Sequence, residues 1–305
     1  MQDLLEEIVE KARPKATEGK VASYIPELAK ADPEQLGIAV VTMDGELYAA
    51  GDTETPFTIQ SISKVVTLAL ALQERGEERV FSKVGVDPTA DPFNSIMRLE
   101  MEAPHRPQNP LINAGAIVVV SLLPGENGEE KFNAILDLVR KLMGNPDIDI
   151  DEEVYRSEKE TSDRNRALAY FLRSVGALEG DVEDILDVYF RQCSIKVTAK
   201  DLAVMGATLA SDGVNPITGE RILSPRVARI VRALMVTCGM YDGSGEFAVR
   251  VGIPAKSGVG GGIMAVVPGR MGIGVFSPPL DEKGNSIAGI KALEHLSQKL
   301  SLRVL

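Results

Sequence analysis

The strand signals of this 305-residue chain lie at its two ends, with helix-forming sequence between them. Near the start, Ile38-Ala-Val-Val-Thr and Glu46-Leu-Tyr-Ala-Ala flank Met43-Asp-Gly, and an Asp-Gly pair between two apolar runs is a strong hairpin signal. Further strands are predicted at about 250–258, 263–268 and 271–277, separated by glycine and proline. Between the two sets the periodicity is helical. Val182, Ile185, Leu186, Tyr189 and Phe190 recur at helical spacing. Thr198 with Asp201 reads as a capping box, and Ser224-Pro225 opens another helix that Gly239 stops. Leu4, Leu5, Ile8 and Val9 start the chain with an amphipathic helix, and Ile287 to Leu300 ends it with another. Sheet residues so far apart can meet only if the two ends close one antiparallel sheet. The class is therefore α+β: a sheet built from both chain ends and flanked by helices, with a helical lobe inserted into it. The expected organisation is a single domain over 1–305, with a sheet lobe of about 1–60 plus 245–305 and a helical lobe of about 61–244. The cleft between lobes is the default site.

Charge narrows the partners. Lys and Arg total 33 against 44 Asp and Glu, a formal charge of −11, which repels phosphate backbones and anionic lipid heads. Nucleic acid and membrane are not expected partners. The longest apolar stretch, Leu111 to Leu123, is interrupted by Asn113 and is shorter than the roughly 20 residues a bilayer needs. The first residues are acidic and lack the basic region of a signal peptide. Cys193 and Cys238 are the only cysteines, too few for a disulfide framework or a zinc site, so a reducing cytoplasm is expected. His105 and His295 are the only histidines, which argues against a Ser-His-Asp triad and against a metal site.

Chemistry is concentrated in two places. Ser61 and Lys64 form a Ser-x-x-Lys where an extended run turns into an apolar helix. In a first helical turn, free backbone N–H groups and the helix dipole stabilise developing negative charge at Ser61. Lys64, three residues on, shares its face and can take the serine proton if burial lowers its pKa. Ser63 is adjacent to the lysine and points elsewhere, so Ser61 is the candidate nucleophile. The pattern is short, and simple capping by Ser61 explains it equally well. Lys256-Ser257-Gly258, on a predicted strand, matches the Lys-[Ser/Thr]-Gly element that accompanies Ser-x-x-Lys in serine acyl transferases. Its glycines allow close backbone approach, and the Val259 N–H is a candidate oxyanion donor. Asn113 inside an apolar run, Glu158 and Asn165 in a polar segment before a helix, and Tyr189 and Tyr241 are further candidates. For each taken alone, capping or a structural role is the better explanation.

Longer blocks resemble the bacterial glutaminase family, members of the serine-dependent β-lactamase-like fold. The blocks are Phe57-Thr-Ile-Gln-Ser-Ile-Ser-Lys, Asp91-Pro-Phe-Asn-Ser, Asn109-Pro-Leu-Ile-Asn-Ala-Gly-Ala-Ile, Glu160-Thr-Ser-Asp-Arg-Asn, Tyr189-Phe-Arg-Gln-Cys-Ser-Ile, Cys238-Gly-Met-Tyr-Asp and Pro254-Ala-Lys-Ser-Gly-Val. The resemblance runs from about Ser23 to about Gly289, with Thr161-Ser162 in place of Ser-Gly and Gly260 where other members carry Ala. It implies hydrolysis of L-glutamine to L-glutamate and ammonia through a γ-glutamyl ester on Ser61, with Lys64 as general base. Ser61 and Val259 would supply the oxyanion N–H groups, and Tyr241 would pass a proton to departing ammonia. Asn113, Glu158, Asn165 and Tyr189 would bind the amino-acid end of the substrate, helped by Tyr24 and Gln60. No metal or organic cofactor is implied, and a homotetramer is. The ankyrin repeats and N-terminal extension of the animal enzymes are absent, so their regulation is not expected. The rival readings are another acyl-enzyme hydrolase of the same fold and a non-catalytic amino-acid-binding relative.

Overall fold

A computed structural model describes residues 1–101 and 103–304. The chain opens with α1 (Gln2–Ala12) and the hairpin β1 (Gly37–Thr42) and β2 (Leu47–Gly51), followed by the short β3 (Phe57–Thr58). The helical region holds α2 (Ser63–Lys83), α3 (Met97–Met101), α4 (Asn113–Ser121), α5 (Gly128–Met143), α6 (Glu152–Thr161), α7 (Asp163–Ser174) and α8 (Val182–Cys193). After β4 (Lys196–Val197) come α9 (Ala199–Ala210), α10 (Pro225–Cys238) and α11 (Ser244–Arg250), then β5 (Ala255–Ser257), β6 (Gly262–Val267), β7 (Met271–Phe276) and α12 (Ile287–Leu300).

Among the described residues, five strands form one antiparallel sheet in the order β2-β1-β7-β6-β5. β1 from the start of the chain pairs with β7 from its end, Gly37 opposite Phe276 through Thr42 opposite Met271. This is the closure by both termini that the strand distribution requires. The two-residue alternation of a strand sends its side chains to two different cores. Ile38, Val40, Ile273 and Val275 pack with Leu5, Ile8, Leu293 and Leu296 of α1 and α12. Ala39 and Val41, on the other face, meet Ala203 and Ala207 of α9. Met264 and Val266 of β6 join a third core, built from α2, α4, α5 and α8.

The helix starts read from the sequence are present. Thr198 and Asp201 make a reciprocal capping box, and the Ser224 hydroxyl accepts from the Val227 N–H with Pro225 in the first turn. The local differences have local causes. The strand expected from about 250 begins at Ala255, because residues 244–250 are helical and Gly252 turns the chain with φ +75°. β3 and β4 form a separate two-residue pairing, Phe57 with Val197 and Thr58 with Lys196, too short to leave a periodic signal. Among the described residues, no helix is long and apolar enough to cross a membrane.

Candidate active site

Ser61 lies in a single 3-10 turn, Gln60–Ile62, immediately ahead of α2 and not within its first turn as expected. The cause is Gln60, whose φ of +49° swings the chain out of the extended β3. A non-glycine residue in this region is strained and is retained only where its surroundings fix it. Two sets of contacts do so. The glycines after β5 lie against the turn: a Cβ on Gly258 would stand 2.6 Å from the Ile59 carbonyl oxygen, and one on Gly260 would stand 2.6 Å from that of Thr58. From the other side, the Ser63 hydroxyl donates to the Gln60 carbonyl at 2.7 Å and accepts from Gln192 Nε2 at 3.3 Å. Ser63 is fully buried and committed to this scaffold, whereas Ser61 keeps 7% of its surface open and lines a pocket.

Lys64 is fully buried in the first turn of α2, and its Nζ donates to Asn113 Oδ1 at 2.6 Å. Burial lowers its pKa to about 8, against the opposing influence of Cys193 and Glu158. Asn113 begins α4 and donates through Nδ2 to Asn165 Oδ1 at 2.9 Å, which ties α4 to α7 across the pocket. Glu158 is 4% exposed near the end of α6, a helical position where the sequence predicts a polar segment ahead of a helix. Desolvation raises its carboxyl to about 8, opposed by the Lys64 charge and a hydrogen bond from Gln60. Its Oε2 is buried without a hydrogen-bond partner. Tyr189 of α8 closes the floor at 2% exposure, and Tyr24 stands at the rim at 57%.

Tyr241 opens a 3-10 turn after α10 with φ +56°. Its hydroxyl donates to the Ser257 carbonyl at 3.2 Å and also hydrogen-bonds Ser61, while burial pushes its pKa well up. It therefore reaches the nucleophile without lining the pocket. Lys256 of β5 is fully buried with Nζ 4.0 Å from the Tyr241 ring centre, and donates to the Gly239 and Ser257 carbonyls at 3.0 and 2.7 Å. Burial drives its pKa well down, with the Lys64 charge adding to the effect. The Val259 side chain packs with Ala22, Ile25, Leu28 and Leu280, and Val259 does not line the pocket that holds Ser61.

The pocket thus unites Ser61, Gln60, Asn113, Glu158, Asn165, Tyr189 and Tyr24. It also takes in Phe93, Asn94, Ser162, Arg164 and Cys193, which lie in the family-like sequence blocks but receive no role from the sequence. For Phe93 the Asp91-Pro-Phe-Asn block is a usable signal, since its ring lies 4.8 Å from that of Tyr241. Cys193 lies within the Tyr189-Phe-Arg-Gln-Cys block, but the block assigns it no role: its place in the pocket depends on how α8 meets the turn at Ser61. Among the described residues, no group of three or more His, Cys, Asp or Glu is placed to hold a metal ion.

A buried serine on a strained turn, a buried lysine three residues on, and a tyrosine beside a Lys-Ser-Gly strand are the parts of an active-site-serine acyl-transfer enzyme. The family profile described as Glutaminase matches residues 19–305. A glutaminase of Clostridium botulinum (strain Hall) is 62% identical over 304 residues, covering all of both chains, and glutaminase 2 of Clostridium perfringens is 58% identical with the same coverage. Among solved structures, the covalent complex of the Bacillus subtilis glutaminase YbgJ with 5-oxo-L-norleucine superposes with a TM-score of 0.92 at 43% identity, over 100% of this chain and 99% of that one. The chain belongs to the glutaminase family. Its fold is the β-lactamase-like one, and it hydrolyses L-glutamine to L-glutamate and ammonia.

Proposed function

We propose that hydrolysis runs through a γ-glutamyl ester on Ser61. The Ser61 Oγ attacks the side-chain amide carbon as neutral Lys64 takes its proton, and the N–H groups of Ser61 and Val259 hold the oxyanion. Collapse breaks the C–N bond. Tyr241, hydrogen-bonded to Ser61, delivers the proton with which ammonia leaves and regains one from Lys64, which becomes neutral again. Water then cleaves the ester, its hydroxyl going to the acyl carbon and its proton to the Ser61 oxygen, which restores the serine. Asn113, Asn165, Tyr189 and Glu158 hold the amino-acid end of the substrate, with Gln60 and Tyr24 alongside. The Bacillus subtilis covalent complex was formed by reaction with 6-diazo-5-oxo-L-norleucine, a glutamine-like electrophile, which supports a covalent route here.

The observation that carries this reading is Glu158 Oε2, buried without a partner in the pocket that contains Ser61. A desolvated carboxylate with a free oxygen is a receptor for an ammonium group, and a charge-assisted hydrogen bond there is stronger than a neutral one. It selects free glutamine over glutamine within a peptide. Glu158→Gln is expected to lose on the order of 2–3 kcal/mol in kcat/KM for glutamine. N-acetyl-glutamine, which lacks the ammonium, is expected to be a poor substrate of the native protein and to lose little further in the variant. Equal losses for both substrates would remove Glu158 from ammonium binding. Turnover of a chromogenic β-lactam with no ammonia release from glutamine would favour the rival hydrolase.

The same reading treats residues 1–305 as one domain of two lobes, working without a cofactor in the cytoplasm as a homotetramer. The family resemblance supports the tetramer, and the two buried free thiols, Cys193 and Cys238, support the reducing compartment.

A further inference from the structure

Ser257, the central residue of Lys-Ser-Gly, does not present its hydroxyl to the pocket. Its Oγ donates to Asn285 Oδ1 at 2.6 Å, and Asn285 Nδ2 donates in turn to the Met240 carbonyl at 3.2 Å. Asn285 is 1% exposed and is itself held by Asp281, whose side chain accepts from the Asn285 N–H at 2.9 Å. Met240 directly precedes Tyr241, whose left-handed backbone is strained and persists only where neighbouring contacts fix it. The Met240 N–H is also tied down, donating to Ser244 Oγ at 3.1 Å, while Ser244 Oγ donates to the Tyr241 carbonyl at 2.8 Å. Beyond the turn, the Tyr241 hydroxyl donates to the Ser257 carbonyl. A closed circuit results: Ser257 holds the tyrosine at its hydroxyl, and through Asn285 it holds the backbone immediately before that tyrosine.

We propose that Asn285 is a positioning residue for Tyr241: by coupling Met240 to Ser257 it sets where the phenol stands relative to Ser61. The proposal rests on Tyr241 delivering the proton to the leaving group. A proton donor displaced by a fraction of an ångström still permits substrate binding but slows the step it serves, so the effect falls on kcat. Asn285 lies outside the pocket lining, so no direct contact with substrate competes with this explanation.

The test is a double-mutant cycle read in kcat and KM, with rates normalised to folded protein by circular dichroism. Asn285→Ala in the native background is expected to lower kcat by about tenfold or more with KM changed by less than about threefold. In a Tyr241→Phe background, which has no hydroxyl to position, the same substitution is expected to change kcat by less than about twofold. Equal losses in the two backgrounds, a loss confined to KM, or no loss in the native background would overturn the proposal. Near-native turnover by Tyr241→Phe alone would instead refute the role of Tyr241, and the positioning proposal with it, so the two failures are separable. If Asn285→Ala does not fold, Ser257→Ala removes the other end of the link and is judged by the same criteria.

Discussion

Lys64 and Glu158 are buried ionisable groups that stabilise each other, and both have pKa values shifted to about 8 by desolvation. The shifts have opposite meanings. Lys64 must be neutral to accept a proton and Glu158 must be ionised to hold an ammonium, so raising the pH through about 8 favours both. A pH profile of kcat/KM is therefore expected to rise between about pH 7 and 9. Lys64→Arg keeps the charge without a usable base, and is expected to lose about 10²–10⁴-fold in kcat together with the Lys64 share of that alkaline rise, the share due to Glu158 ionisation remaining. Near-native turnover of this variant would place the base elsewhere. Burial of Glu158 also has a linkage consequence. Its folded pKa lies above its unfolded value of 4.5, so the folded state loses stability as pH rises from about 4.5 to about 8. Glu158→Gln removes that cost, so its Tm advantage over the native protein is expected to grow between about pH 5 and 9. A constant difference across a thermal-shift series would contradict this. Ser61 and Lys64 were legible as a pair because a Ser-x-x-Lys at a strand-to-helix transition is a local pattern, although Ser61 sits in the 3-10 turn ahead of α2 and not on the helix itself. The partnering of Asn285, and the place of Cys193 in the pocket, were not legible, because both depend on which segments meet in space.

At the scale of elements, the decisive contact is α9 against β7. Glycine at 272 and 274 leaves that face of β7 without side chains at these two positions, and the helix backbone fills the space. A Cβ on Gly272 would stand 1.9 Å from the Ala207 nitrogen, and one on Gly274 would stand 2.0 Å from the Ala199 carbonyl oxygen. Backbone atoms cannot swing aside as side chains can, so overpacking here is expected to cost at least the usual 1–3 kcal/mol, roughly. Gly274→Ala should lower the urea midpoint by a corresponding amount or prevent folding. Gly219→Ala, where a Cβ would meet nothing within 4 Å but φ is +72°, should cost only the strain of its turn. Equal midpoints for Gly274→Ala and the native protein would refute the packing argument. The cap of α9 and the limits of β6 and β7 were legible from local residues. The pairing of β3 with β4 and the kink at Gly76, with φ +77° inside α2, were not, since a two-residue strand and a single backbone dihedral leave no periodic trace.

For the whole molecule, the distribution of strands along the chain implied closure of the sheet by its two ends, and the β1–β7 pairing is that closure. It matters for function because it brings β5, with Lys256 and Ser257, beside the turn that carries Ser61, almost two hundred residues earlier in the chain. The pocket itself draws on α4, α6, α7 and α8 and on the turn ahead of α2, and no periodicity within any one of these reveals that they converge. This convergence is proposed to make Ser61, and not its neighbour Ser63, the nucleophile. The decisive experiment is reaction with 6-diazo-5-oxo-L-norleucine followed by peptide mass mapping. A single adduct on Ser61 is expected, with no adduct and no turnover in Ser61→Ala. A label on Ser63, or an active Ser61→Ala protein, would overturn the assignment.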